Sequence, residues 1–146
     1  MHTKLIMAAM LAISASTLTA TGVIAQDRTP APVDAQVYFI GLEDGATVSN
    51  PVTIAFGLTG MGIAPAGIDA ADTGHHHLLI NVDPATLDLN DGVPADDNHI
   101  HFGGGQTEVT RDLPLGTHTL ALVLADHAHI PHDPPIISEM ITITVE

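Results

Sequence analysis

From Val52 the chain alternates. Val52, Ile54, Phe56 and Leu58 are apolar, while Thr53, Ala55, Gly57 and Thr59 between them are small or polar. Period two is the repeat of a strand with one buried face. It returns in residues 117–125, where Leu120, Leu122 and Leu124 point one way and Thr119, Ala121 and Val123 the other. It returns again in 140–145, with Ile141, Ile143 and Val145 inward. Val37 to Leu42, His75 to Val82, a short run from His99 to Phe102, and Thr107 to Leu113 complete the predicted strands. Turn signals separate them: "EDGATVSNP", a long Gly/Ala/Pro/Asp-rich loop from Gly60 to Gly74, the acidic "DPATLDLNDGVPADDN", "GGG" and "PLG". No run beyond residue 25 has a helical period. About seven short strands at this spacing predict an all-β chain, a single antiparallel β-sandwich of immunoglobulin-like type. The likeness is architectural, because no tryptophan and no cysteine pair marks an antibody-type domain.

The N-terminus reads differently. Met1 to Lys4 carry a cationic end, Leu5 to Ile13 are almost wholly apolar, and small residues then lead to "VIAQ". This is the pattern of a secretory signal peptide over residues 1–25, with cleavage between Ala25 and Gln26. The apolar run is well short of the roughly 20 residues that a membrane-spanning helix needs. The expected organisation is therefore a signal peptide at 1–25, a flexible Pro-rich lead-in at 26–36 ("QDRTPAPVDAQ") and a His-rich β-sandwich domain at 37–146, delivered to the periplasm or secreted. A chain of this length builds one core without staples. It contains no cysteine, which rules out disulfides, thiolate ligands and a thiolate nucleophile.

Charge narrows the partners. All 17 acidic residues follow Ala25, and only Arg28 and Arg111 oppose them there, since the one lysine is Lys4. Such a surface repels phosphate backbones and anionic lipids, so neither nucleic acid nor membrane insertion of the mature chain is expected. It attracts cations, and it also keeps a protein soluble.

The histidines are not scattered. Nine of the ten follow Ala25, and eight of those form three groups: His75, His76 and His77; His99 and His101; His127, His129 and His132. In a strand, residues i and i+2 share a face, about 6.6 Å apart. His75/His77, His99/His101 and His127/His129 each offer that chelating spacing. Leu78, Ile80 and Val82 form the more apolar set of their strand, so His76 is predicted on the core side and His75 and His77 on the other. His118 is in phase with the leucines of its strand and reads as a hydrogen-bonded core histidine. Imidazole is the commonest protein metal ligand and suits copper, zinc and nickel. The expected ligand is a divalent transition metal, copper or zinc ahead of nickel. The candidate ligands are His75, His77, His101, His132, His129 and His99, with Asp126 or Asp133 orienting an imidazole. His75/His77 and "HIPHD" are expected to meet at one site, with His101 as a further member. Binding is expected to weaken below about pH 6.5, where a free imidazole protonates. Met61 could add a thioether, although a lone methionine more often packs.

The segments "GHHHLLIN", "IHFGGGQTE" and "LPLGTHTLALVLADHAHIPHDPP" together resemble an exported bacterial family of unknown function known for its GHHH motif. The resemblance spans most of residues 37–146 and places Gly74 to His77, His101, Gly103, His129, Pro131 and His132 in the family's motif segments. Members are sometimes labelled rod-shape-determining proteins. The residues here give that label no support, since they offer no set of spanning helices.

Rival chemistries leave identifiable gaps. Cu/Zn superoxide dismutases carry H-x-H pairs on an exported β-sandwich, but this chain lacks their disulfide and motif order. Gly92, His99, His101, Glu108 and Gly116 stand in cupin order, but with six residues between His101 and Glu108, where a cupin has three or four. "DLNDGVPADDN" is rich in carboxylates but off the EF-hand pattern, with Gly92 where an acidic residue or Asn is needed. No Ser-His-Asp order, P-loop or dinucleotide fingerprint is present. The plain alternative to a metal protein is an envelope interaction module whose histidines only hydrogen-bond.

Overall fold

The computed structural model describes residues 27–146. The signal-peptide reading of residues 1–25 lies outside the described residues. Ten strands follow in order: β1 (Gln36–Ile40), β2 (Thr47–Val48), β3 (Val52–Thr59), β4 (Gly62–Ile63), β5 (Thr73–Ile80), β6 (His99–His101), β7 (Glu108–Arg111), β8 (Gly116–Ala125), β9 (Pro131–Ile137) and β10 (Ile141–Val145). Among the described residues the one helical element is a 3-10 turn, Pro84–Thr86, and no helix is long and apolar enough to cross a membrane.

The strands form two sheets. β1, β3 and β7 make a three-stranded antiparallel sheet. The larger sheet runs β2-β10-β8-β5-β4, with β6 also paired to β5 and β9 to β8. Its β2/β10 and β4/β5 pairs are parallel. The chain is thus all-β as expected, but its pairing is mixed rather than wholly antiparallel. One core lies between the sheets: Val37, Val52, Ile54 and Phe56 of the small sheet pack with Leu78, Ile80, Leu120, Leu122, Leu124 and Ile143 of the large one. Each such side chain removed from water stabilises the fold by about 1.5–3 kcal/mol.

β5 and β8 are the central pair of the large sheet, and both of their faces are covered. Leu79, Ala121, Val123 and Ala125 form a second, smaller cluster with Val93, packed by Val82 and Leu87. The acidic segment 81–98 supplies that cover, folding over the sheet's outer face. A strand covered on both faces loses the apolar–polar alternation and reads as a continuous apolar run. That explains "LLI" in β5 and "LALVLA" in β8.

Two expectations change. The lead-in expected to be flexible is tied down from Arg28 onward. The Arg28 guanidinium donates to the carbonyls of Pro131 (3.0 Å) and His132, and Ala31 N and Asp133 O are 2.9 Å apart. The "HIPHD" segment lies outside the predicted strands, but Pro131–Ile137 is a strand. Its three prolines cannot donate to a ladder. The pairing accommodates them through an irregular register, Ala125↔Pro131 and then Leu124↔Ile136.

Candidate metal centre

β5 sends its three histidines to opposite faces. His76 enters the inter-sheet core, where its ring lies 5.2 Å from that of Phe56. His75 and His77 point to the outer face, under the cover. All three are fully buried. β6 pairs antiparallel with β5 so that His101 stands directly across from His77, which puts three imidazoles on one face. His75 Nε2 and His77 Nε2 are 3.1 Å apart. One ligand nitrogen from each of His75, His77 and His101 lies within 4.8 Å of the others, and this trio could hold a metal ion.

A fourth ring comes from the turn between β8 and β9. The His129 ring centre stands 5.1 Å from that of His75, 4.7 Å from His101 and 6.0 Å from His77. The remaining separations are 4.9 Å for His75–His77, 5.1 Å for His75–His101 and 5.1 Å for His77–His101. Two glycines make the approach possible. A Cβ on Gly74 would meet Ala125 O at 2.6 Å, and one on Gly103 would run into the His101 ring. "HFGGG" is therefore where His101 folds back over its own loop.

Asp126 builds the turn that carries His129. It is 3% exposed. Its Oδ1 accepts from Ala128 N (2.9 Å) and Ile130 N (3.0 Å), and its Oδ2 from Thr29 Oγ1 (2.7 Å). His129 N donates to Asp126 O at 2.9 Å. His129 has φ +70°, the left-handed region that a side chain other than Gly enters only at a cost. Asp126 was expected to orient an imidazole directly, and instead it holds backbone. Burial alone would raise its carboxyl pKa. The bonds from Thr29, Ile130 and Ala128, with His127 nearby, outweigh that and hold it below the usual range. Asp133, the other candidate, pairs with Arg28 at 3.6 Å.

The cluster resists protons. His77 is pushed down to about 3, first by burial and then by the imidazoles of His75, His101 and His129. His75 is lowered to about 4 by burial and then by His129 and His101, with Asp126 pulling the other way. His76 is lowered to about 4 by burial. His101 is lowered by burial and by His129. At neutral pH these rings carry free lone pairs, the state a metal ligand requires. Among the described residues, His75 Nδ1, His77 Nδ1 and both nitrogens of His76 are buried without a hydrogen-bond partner.

The other sequence candidates lie elsewhere. His132 is on β9 with Nε2 3.2 Å from Thr73 O and Nδ1 3.4 Å from Leu124 O; its ring is used by the backbone and stands outside the four-ring group. His99 Nδ1 bonds Asp96 at 2.8 Å, lining a separate depression with Leu87, Asp88 and Asp91. His127 stands 3.7 Å from Asp69. His118 is the hydrogen-bonded core histidine expected: Nε2 donates to Pro114 O at 2.7 Å, so Nδ1 accepts from Asn81 at 3.0 Å. Glu108 lies on β7 in the opposite sheet, which dissolves the cupin order. Asp88 and Asp91 cap the backbone amides of Asn90 and Gly92. Arg28 entered the sequence expectations only as a charge, and Thr29 had no role in them. The spacing from Asp126 to Ala128 N, an Asx turn, was the available signal for the His129 turn.

Compared with known proteins, residues 54–146 match the family described as Domain of unknown function (DUF4399). The match takes in every histidine of the cluster and omits β1, β2 and the Arg28–Thr29 segment. The chain belongs to that family. No curated protein and no solved structure matches the chain.

Proposed function

We propose that this member of the DUF4399 family is an exported protein that holds one transition-metal ion, zinc or copper, in the periplasm or outside the cell, binding or handling the ion without catalysing a reaction. The observation that carries the reading is the convergence of His75, His77, His101 and His129 from β5, β6 and the β8–β9 turn. The spacing fits an ion. A ligand nitrogen ~2.1 Å from the metal puts its ring centre ~3.2 Å away, so four tetrahedral imidazoles have centres ~5.2 Å apart, and four square-planar ones ~4.5 and ~6.4 Å apart. Five of the six separations fall between 4.7 and 5.1 Å, and the sixth is 6.0 Å. These separations make one compact group of rings; the ligand nitrogens that converge within 4.8 Å are those of His75, His77 and His101, with the His129 ring packed beside them. The 3.1 Å between His75 Nε2 and His77 Nε2 is close to the ~3.4 Å of two tetrahedral ligands on one ion. Export is supported by the signal-peptide pattern of residues 1–25. We also read the two sheets around one core as immunoglobulin-like.

Metal analysis of protein purified without an affinity tag from its own compartment tests the function. One zinc or copper per chain is expected, together with calorimetric binding that His77→Ala removes. No binding of either ion at micromolar concentration overturns the reading.

A further inference from the structure

We propose that Asp126 is the positioning residue of this centre, holding His129 over the other three imidazoles, and that Thr29 locks it in place. The inference rests on the metal-binding reading above. His75, His77 and His101 are set by the ladder between β5 and β6, which fixes their faces without help. His129 has no such support. It sits at the tip of a short turn, with a left-handed backbone (φ +70°) that an L-residue adopts only at a cost. What holds it there is Asp126. Asp126 N donates to Ile130 O at 3.0 Å and Asp126 O accepts from His129 N at 2.9 Å. Its Oδ1 takes the amides of Ala128 and Ile130. The turn is closed from both ends by one residue.

The carboxylate is committed to these bonds, so it acts on the ion through His129 and as a nearby negative charge rather than as a ligand. That charge counts, because the four donors are neutral and the ion's charge would otherwise stand uncompensated in a buried site. Thr29 completes the arrangement. Its hydroxyl donates to Asp126 Oδ2 at 2.7 Å, and the Arg28 guanidinium beside it grips the carbonyls of Pro131 and His132 just past the turn. A segment outside the family match thus straps the loop that carries the fourth imidazole. The trio takes the ion, and the strapped turn caps it.

Cobalt(II) as a zinc stand-in gives the test, because its visible bands report coordination geometry. In Asp126→Ala the affinity for Co(II) and Zn(II) should fall about 10–100-fold, the usual cost of removing a group that orients a ligand. Its Co(II) spectrum should take the form given by His129→Ala, with the tetrahedral intensity lost. The Asp126→Ala/His129→Ala double variant should lose less than the two single losses combined, binding more weakly than His129→Ala only by the share of the Asp126 charge. Asp126→Asn keeps an acceptor for the turn amides, and should recover the four-nitrogen spectrum while still binding more weakly than wild type. Thr29→Val leaves the turn bonds intact, so it serves if Asp126→Ala does not fold, and it should release Zn(II) to a chelator several-fold faster than wild type. Wild-type spectrum and affinity in Asp126→Ala, additive losses in the double variant, or an unchanged release rate in Thr29→Val each overturn the proposal. A wild-type chain that binds neither ion overturns the metal reading beneath it, which is a different failure.

Discussion

Acidifying the metal-free protein from pH 7.5 to 5.5 should cost it much of its stability, and three adjacent residues set the size of the loss. In the unfolded chain His75, His76 and His77 have the ordinary imidazole pKa of about 6.5. Folded, they are lowered to about 4, 4 and 3, in each case first by burial. A group whose folded pKa is depressed binds more protons when unfolded. Its contribution is therefore intact above pH 6.5 and is lost as pH falls toward the folded value. At pH 5.5 an unfolded imidazole is about 90% protonated while a folded one stays neutral, which costs about 1.4 kcal/mol per histidine and up to about 4 kcal/mol for three. Native domains hold about 5–15 kcal/mol in total, so the loss is large. Asp126 is also lowered, but an acid below the carboxylate range titrates beneath this window. Urea unfolding of metal-free protein at pH 7.5, 6.5 and 5.5 reads the effect. With a slope of about 2 kcal/mol/M, the midpoint should drop by roughly 2 M across the series. His76→Leu isolates one third of the loss away from the outer-face cluster. Because neither His76 nitrogen has a partner, the variant should hold or gain stability at pH 7.5, where an orphaned buried polar group costs about 1–3 kcal/mol. A free energy that changes by less than about 1 kcal/mol between pH 7.5 and 5.5 would refute the buried, neutral state of these rings.

Metal binding should survive to lower pH than a free imidazole would allow, because His75 and His77 stay neutral down to about 4 and 3. Zinc titrations at pH 7 and 5.5 should show only a modest change, and a collapse centred on pH 6.5 would mean solvated ligands. His129→Ala should lose most of its affinity and His132→Ala little, since the His132 ring faces the carbonyls of Thr73 and Leu124; calorimetry on both variants decides. Gly74→Ala drives a Cβ to 2.6 Å from Ala125 O, and thermal melts should show a loss of about 1–3 kcal/mol, the usual cost of overpacking. His118→Ala removes the bonds to Asn81 and Pro114 O, so unfolding should cost about 1–3 kcal/mol while zinc affinity is unchanged.

The sequence by itself determined the all-β class and the strand faces, while β2 and β4 fall inside stretches it predicted as turn and loop. Period two located β3, β8 and β10 to within a residue or two, and parity put His76 in the core and His75 with His77 on the other side, because a strand turns every second side chain the same way. It also limited the donors a metal ion could find, since the chain has no cysteine and its histidines are clustered. It missed β9, because prolines mask a strand whose register is irregular, and it misjudged the segment at Arg28, whose partners lie about a hundred residues away. It placed His132 among the ligands beside His129 because both stand in one motif. Tertiary structure sets the two rings apart. The Asp126 turn sends the His129 ring into the cluster, while β9 carries the His132 ring to backbone carbonyls. Spacing along a chain gives the reach of a side chain within one element, but which rings share a point depends on the pairing of β5 with β6 and on one turn held by a buried carboxylate. Those are long-range contacts, and no local pattern encodes them.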